Sequence, residues 1–249
     1  ALAAVTEAVL DADVVSGRQL SRLVGSWVWA LLPCRPFLSV LRASYRFIAA
    51  AWRDQRPLWR SVRRELHTLL GLLPLLHVDL SAAWSGILVA ADASEGGLGV
   101  VYTGVSPGQT RRLAEALPRQ ALKKDGLDQS QLQLFDQLGK SKWKVAVQYR
   151  WRWTKEHISV KEMRAALCAL RWIATRPSAF GRRVLFLSDS AAAVGALAKG
   201  RSPSYPLLLL LRRIAVVCAG FGIRFVPRWV PTFSNPADGP SRAATLEDW

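Results

Sequence analysis

The period of the apolar residues changes once along this chain, near residue 80, and no other feature of the sequence constrains the fold as strongly. Upstream, Leu20, Leu23, Val24, Trp27, Val28 and Leu31 trace one helix face, in a helix that should stop before Pro33. Two more helical patterns follow, one on Leu38, Leu41, Tyr45 and Ile48, the other on Leu58, Val62, Leu66, Leu69 and Leu73, closing near Pro74. Downstream, apolar runs of strand length alternate with helical ones. Residues 87–91 read as a buried strand ending in Asp92, and 97–102 as its hairpin partner across the turn Ser94-Glu95-Gly96. Residues 145–153 form a third strand, leading into a helix over about 160–175. Then come a short strand (184–187), a helix (191–199), a long buried helix (205–220), a last strand (223–230) and a terminal helix starting within 235–242. This order predicts an α/β domain over residues 86–243, a mixed five-stranded sheet flanked by helices, preceded by a small all-α helical segment over residues 1–80.

Residues 103–144 interrupt the pattern. They are polar and basic, with Pro107, Gly108, Lys123, Lys124, Gly126, Lys140, Lys142 and Lys144 around weak helical patterns at 114–122 and 131–138. A mobile insertion is expected there. The charge balance points to a partner: Lys+Arg 34 against Asp+Glu 18 gives a net charge of +16. Such a surplus favours a polyanion, nucleic acid ahead of an anionic membrane, because each neutralised phosphate releases condensed counterions. Arg42, Arg46, Arg53, Arg56, Arg60, Arg63 and Arg64 crowd the polar helix faces, where they read either as a backbone-binding groove or as a solvated face. Trp143, Trp151 and Trp153 alternate with Lys142, Lys144, Arg150 and Arg152. The tryptophans invite a base-stacking reading, but core packing of a half-buried strand explains that alternation best, with backbone contacts from the basic side chains as the lesser reading.

Composition excludes other classes. Hydrophobic residues at 51% and charged residues at 21% are globular values, not those of a disordered chain. The longest apolar stretches, 24–32 and 207–211, fall short of the roughly 20 residues of a spanning helix, so no membrane partner is expected. Cys34, Cys168 and Cys218 are odd in number and far apart, and read as buried small hydrophobes in a reducing compartment. An intracellular setting, nuclear or cytoplasmic, follows as an expectation. The chain begins at Ala1 and its single methionine is Met163, so the true N-terminus is expected to lie upstream.

Four carboxylates sit where strands end or helices begin. Asp92 ends the first strand, Glu162 lies in the first turn after the third, Asp189 follows the central strand in Ser188-Asp189-Ser190, and Asp238 starts the last helix. If the first and central strands are neighbours, all four converge. Converging carboxylates repel unless hard cations neutralise them, and all-oxygen ligation suits two Mg²⁺ or Mn²⁺ ions. Blander readings exist for most. Ser159 to Glu162 is a capping box, Asn235-Pro236-Ala237-Asp238 reads as an N-cap with proline at N1 and an acid favoured by the helix dipole, and Asp189 could be an N-cap. Asp92 resists such an explanation, because an acid ending an apolar strand needs a partner.

Taken in order, Asp92-Ala93-Ser94 with Gly97-Leu98-Gly99, Glu162 with Ala165, Ser188-Asp189-Ser190, and Asn235-Pro236-Ala237-Asp238 with Ser241-Arg242 resemble the ribonuclease H domain of retroelement reverse transcriptases. The nearest likeness is to DIRS-type elements that carry a tyrosine recombinase. Their last motif reads N-x-x-A-D-x-x-S-R, and residues 153–162, with His157-Ile158-Ser159, resemble their W-x-x-x-H-I-N-x-x-E segment. The likeness spans about 87–242 and extends weakly upstream, where Ser16 to Leu20 with Leu23 and Gly25 resembles the thumb or connection helices that follow a polymerase palm.

The resemblance implies a metal-dependent nuclease that cuts the RNA strand of RNA–DNA hybrids, joined to a polymerase domain in the same polyprotein and needing no small-molecule cofactor. Asp92 would bridge two ions, Asp238 would complete the one that activates water, and Glu162 and Asp189 would hold the one facing the leaving oxygen. Ser94, Ser190, Asn235 and Arg242 would contact substrate. Two departures stand out: Ser190 replaces a common Asn, and Pro231-Thr232-Phe233-Ser234 lacks the histidine that many relatives place ahead of the last acid. Two other readings remain, a silent connection-like module that only positions nucleic acid, and an integrase or transposase. The second fits poorly, because such enzymes end on a glutamate of a late helix.

Overall fold

A computed structural model of the chain describes residues 1–122, 128–152 and 155–243, so Lys123, Lys124, Gly126 and Trp153 lie outside the described residues. The chain divides into two compact units, Ala1–Val78 and Asp79–Trp249.

The first unit is helical: α1 (Leu2–Asp11), α2 (Gly17–Leu31), α3 (Arg42–Ala50) and α4 (Arg60–Leu72). α1 has no counterpart in the sequence expectations. The start of α2 is fixed by Ser16, whose hydroxyl accepts from the Gln19 backbone while the Gln19 side chain accepts from the Ser16 N–H at 2.8 Å, a complete capping box. The pattern expected over 38–48 divides into a 3-10 turn, Arg35–Val40, followed by α3. Buried Glu65 of α4 takes over the orphan donors at the start of α3, accepting from the N–H groups of Ala43 (2.6 Å) and Ser44 (2.8 Å). Arg63 donates to the Leu10 and Ala12 carbonyls at the end of α1, so at least this arginine has a structural task. Arg46, Arg53, Arg56, Arg60 and Arg64 are exposed.

The second unit is an α/β domain around one five-stranded sheet of β1 (Ile87–Ala93), β2 (Gly97–Gly104), β3 (Lys144–Arg150), β4 (Arg183–Ser188) and β5 (Arg224–Trp229). The strand order is β3-β2-β1-β4-β5. β2 runs antiparallel to β1 and β3, while β1, β4 and β5 are parallel. This mixed sheet, flanked by helices, has the ribonuclease H-like order. On one face, α7 (Ile158–Ile173), α8 (Ala191–Lys199) and α9 (Tyr205–Phe221) cover Val89, Ala91, Ala93, Leu98 and Val100. α9 is less buried than its composition predicts. Leu207, Leu210, Leu211 and Ile214 face the core, but Tyr205, Leu209 and Val216 are exposed.

On the other face the expectation of a mobile insertion is corrected. Residues 107–116 form α5 (Pro107–Ala116) and 129–140 form α6 (Gln129–Lys140), each opened by a capping box, Ser106 with Gln109 and Asp128 with Gln131. Ala114, Leu117, Phe135 and Leu138 are buried with Leu88, Ala90, Val101, Leu185 and Leu187 of the sheet. These helices are a layer of the fold, because without them that sheet face would leave its apolar side chains in water. The polar composition describes only their outer faces. Trp151 and Trp143 also behave as structural residues, their indoles donating to the backbone carbonyls of Ser94 (3.0 Å) and Leu138 (2.8 Å). Cys34 is buried and Cys168 and Cys218 are partly buried, with burial raising the Cys168 thiol to about 11 and the Cys218 thiol to about 12. No helix among the described residues is long and apolar enough to cross a membrane.

Candidate metal centre

β1 and β4 lie side by side and run parallel, which brings the residues at their C-terminal ends together. Asp92 is the penultimate residue of β1, and Asp189 follows β4 directly. Side chains alternate across a strand, so Asp92 shares its face with Leu88 and Ala90. Glu162 arrives from α7. His157, not Ser159, is the N-cap of that helix, its ring Nδ1 accepting from the Ser159 N–H at 3.2 Å. Glu162 therefore lies beyond the first turn and caps nothing, which removes the capping-box explanation. Fully buried Lys161 pins the start of α7 to the hairpin turn, donating to the Glu95 carbonyl at 3.1 Å and to its carboxylate at 2.9 Å.

Carboxylate oxygens of Asp92, Glu162 and Asp189 all lie within 4.8 Å of one another. Their electrostatics follow from that crowding. Burial, partly countered by the Ser241 hydroxyl bond and reinforced by the charges of Asp189 and Asp238, pushes Asp92 up to about 6. Burial and the charges of Asp92 and Asp189 push Glu162 up to about 9, against a bond from the Ala93 backbone. One oxygen of Glu162, Oε2, is buried with no hydrogen-bond partner among the described residues. Native proteins rarely leave such an atom orphaned. An oxygen-only donor set, mutual repulsion and a buried oxygen unpartnered among the described residues all fit a hard divalent cation, so these residues could hold a metal ion.

The terminal segment holds the acids in place. Asn235 is buried and its Nδ2 donates to Asp189 Oδ1 at 3.0 Å and to Asp92 Oδ1 at 3.4 Å, while its Oδ1 accepts from the Ala237 N–H at 3.2 Å. The final helix, α10 (Asp238–Arg242), is short and its N-cap is Ala237, so Asn235 serves the acids instead of the helix. Ser241, fully buried, donates its hydroxyl to Asp92 Oδ2. α10 lies against β2, where a Cβ on Gly99 would stand 2.8 Å from both Pro240 Cβ and the Ser241 nitrogen. Glycine at 99 is thus what admits the helix. The Trp229 indole donates to the Asp189 carbonyl at 3.0 Å.

Asp238 stands apart from the cluster of three. Its Oδ1 accepts from Arg242 Nε at 3.0 Å and Nη2 at 2.9 Å, although its charge still reaches Asp92. The remaining expected site residues have backbone tasks. The Ser94 hydroxyl donates to the Ser241 carbonyl at 2.8 Å and accepts from the N–H groups of Gly96 and Gly97, and the Ser190 hydroxyl caps α8 through Ala193. With Ser190 as that cap, Asp189 is left to the acids. Ser241 and Trp229 went unassigned in the sequence reading, although Ser241 belongs to the Ser241-Arg242 pair that signals the last motif. No protein-family model matches the chain, and no curated protein does.

Proposed function

We propose that this chain hydrolyses the RNA strand of RNA–DNA hybrids with two divalent ions, Mg²⁺ or Mn²⁺, held by Asp92, Glu162, Asp189 and Asp238. The observation that carries the reading is the convergence of three carboxylates, one with an orphaned buried oxygen, at the ends of β1 and β4 in a ribonuclease H-like sheet. Fold alone would not suffice, since one fold hosts many activities. The ordered motifs and their likeness to DIRS-type retroelement ribonucleases H support the substrate, as does the charge of +16. A polymerase partner in the same polyprotein rests on that likeness.

Bound at the acids, such ions supply an activated water and neutralise the charge that develops on the leaving 3′ oxygen. The chain's own residues do the positioning. Ser241 and Asn235 hold the carboxylates of Asp92 and Asp189, and Trp229 fixes the backbone that carries Asp189. Arg242, with its side chain 67% exposed beside Asp238, is placed to meet a phosphate. The hybrid would be recognised by A-like geometry and 2′-hydroxyls, with little base readout.

The test is purified chain with Mg²⁺ or Mn²⁺ on labelled RNA–DNA hybrid, duplex DNA and single-stranded RNA. Cleavage confined to the RNA of the hybrid, leaving 5′-phosphate and 3′-hydroxyl ends, is expected. Hybrid binding without cleavage would point to the silent module, and cutting or joining of duplex DNA to an integrase.

A further inference from the structure

We infer that Arg242 is a positioning residue that withholds Asp238 from the carboxylate cluster, so that a first ion binds on Asp92, Glu162 and Asp189 and a second only in competition with the guanidinium. The inference rests on the metal-dependent reading above and adds an order of assembly to it. Nε and Nη2 of Arg242 converge on a single oxygen, Oδ1, of Asp238. That is the carboxylate missing from the group whose oxygens lie within 4.8 Å.

The backbone of α10 is pinned, because the Ser241 hydroxyl donates to Asp92 and the Ser94 hydroxyl donates to the Ser241 carbonyl at 2.8 Å. Only the Asp238 side chain is left to turn. A fourth carboxylate facing three others is costly without a cation, and the guanidinium is the cation that the chain itself provides. Arg242 also feels the charges of Asp92 and Asp189, though less than that of Asp238.

An exposed pair is weak, hence displaceable. Once released, the guanidinium remains at the site with planar donors that match phosphate oxygens. A substrate phosphate that draws Arg242 away frees Asp238, and by linkage each strengthens the binding of the other. The second ion and the substrate therefore arrive together.

The experiment titrates the full chain with Mn²⁺ alone, by calorimetry and electron paramagnetic resonance, in wild type, Arg242→Gln, Arg242→Lys, Asp238→Asn and the Arg242→Gln/Asp238→Asn double variant. Circular dichroism checks that each is folded. The first ion's affinity should change by no more than about two-fold across the five, since Arg242 and Asp238 act on its three acids through charge and not contact. The second should bind about three- to five-fold tighter in Arg242→Gln than in wild type, stay at the wild-type level in Arg242→Lys, and vanish in both variants that lack Asp238. An unchanged or weakened second step in Arg242→Gln overturns the inference and leaves the metal centre standing. Absence of any Mn²⁺ binding in folded wild type overturns both.

Discussion

Asp92 ends an apolar strand at 5% exposure and meets Ser241, Asn235, Asp189 and Glu162 there. Of the four acids it was the one that sequence alone could not explain away, and the structure shows why: it lies at the meeting point of β1, α7 and α10. Glu162 carries the largest electrostatic cost. Its carboxyl is pushed up to about 9 in the folded protein from an ordinary 4.5. Below about 4.5 both folded and unfolded chains are protonated there and nothing is lost. As pH rises from there to about 9 the unfolded chain ionises while the folded one keeps its proton, so metal-free stability should fall across that window. Melting in a chelator at successive pH values should show this fall, smaller in Glu162→Gln. At pH 7 that variant should be about 1–3 kcal/mol more stable than wild type in a chelator, since one pKa unit is worth about 1.4 kcal/mol. Destabilisation in a urea titration would contradict the crowding argument. Asn235→Ala should instead weaken Mn²⁺ binding about 10–100-fold, the usual cost of losing a residue that orients ligands.

At the scale of elements, α10 and the α5–α6 layer decide whether the site exists. Gly99→Ala would drive a Cβ into backbone and Pro240, moving α10 and with it Ser241. A loss of about 1–3 kcal/mol in urea unfolding and a parallel loss of Mn²⁺ affinity are expected. Phe135→Ala tests the corrected view of residues 107–116 and 129–140. As a fully buried core residue it should cost about 3–5 kcal/mol, whereas a mobile insertion would give a change within about 0.5 kcal/mol. Periodicity showed the strands and most helices because their buried faces repeat at 2.0 or 3.6 residues. It showed α6 only weakly, over 131–138, and misplaced α5 at 114–122 instead of 107–116, because few apolar residues carry the contact and the capping signals at Ser106 and Asp128 went unweighed. The reading of α9 as wholly buried failed for the opposite reason, since its apolar run does not distinguish Leu209 and Val216 on the outer face from Leu210 and Ile214 on the inner one.

For the whole molecule, the sheet order follows from hairpin and crossover rules once the elements are named, so the α/β class was legible early. The convergence of Asp92 and Asp189 needed one assumption, that β1 and β4 are neighbours, and they are. Less was read of partnership among the acids: the i,i+4 spacing of Asp238 and Arg242 on the last helix signals their pair but went unused, and no spacing rule tells that Asn235 would turn from a helix cap into a clamp. The net charge of +16 belongs to this scale too. Hybrid binding should weaken steeply with salt, with a log–log slope of roughly −0.7 to −0.9 per phosphate contacted, measured by fluorescence anisotropy. A flat salt dependence would remove the backbone-binding role of the basic surface. The central claim is tested most directly by the rate of RNA cleavage in a labelled hybrid as Mg²⁺ is added, for wild type beside Asp92→Asn. The account predicts metal-dependent cleavage in the wild type that the variant loses by at least about a thousand-fold, or about 4 kcal/mol of barrier, with hybrid binding retained. Equal cleavage by the two proteins, or none by a wild type that binds both hybrid and metal, would contradict it.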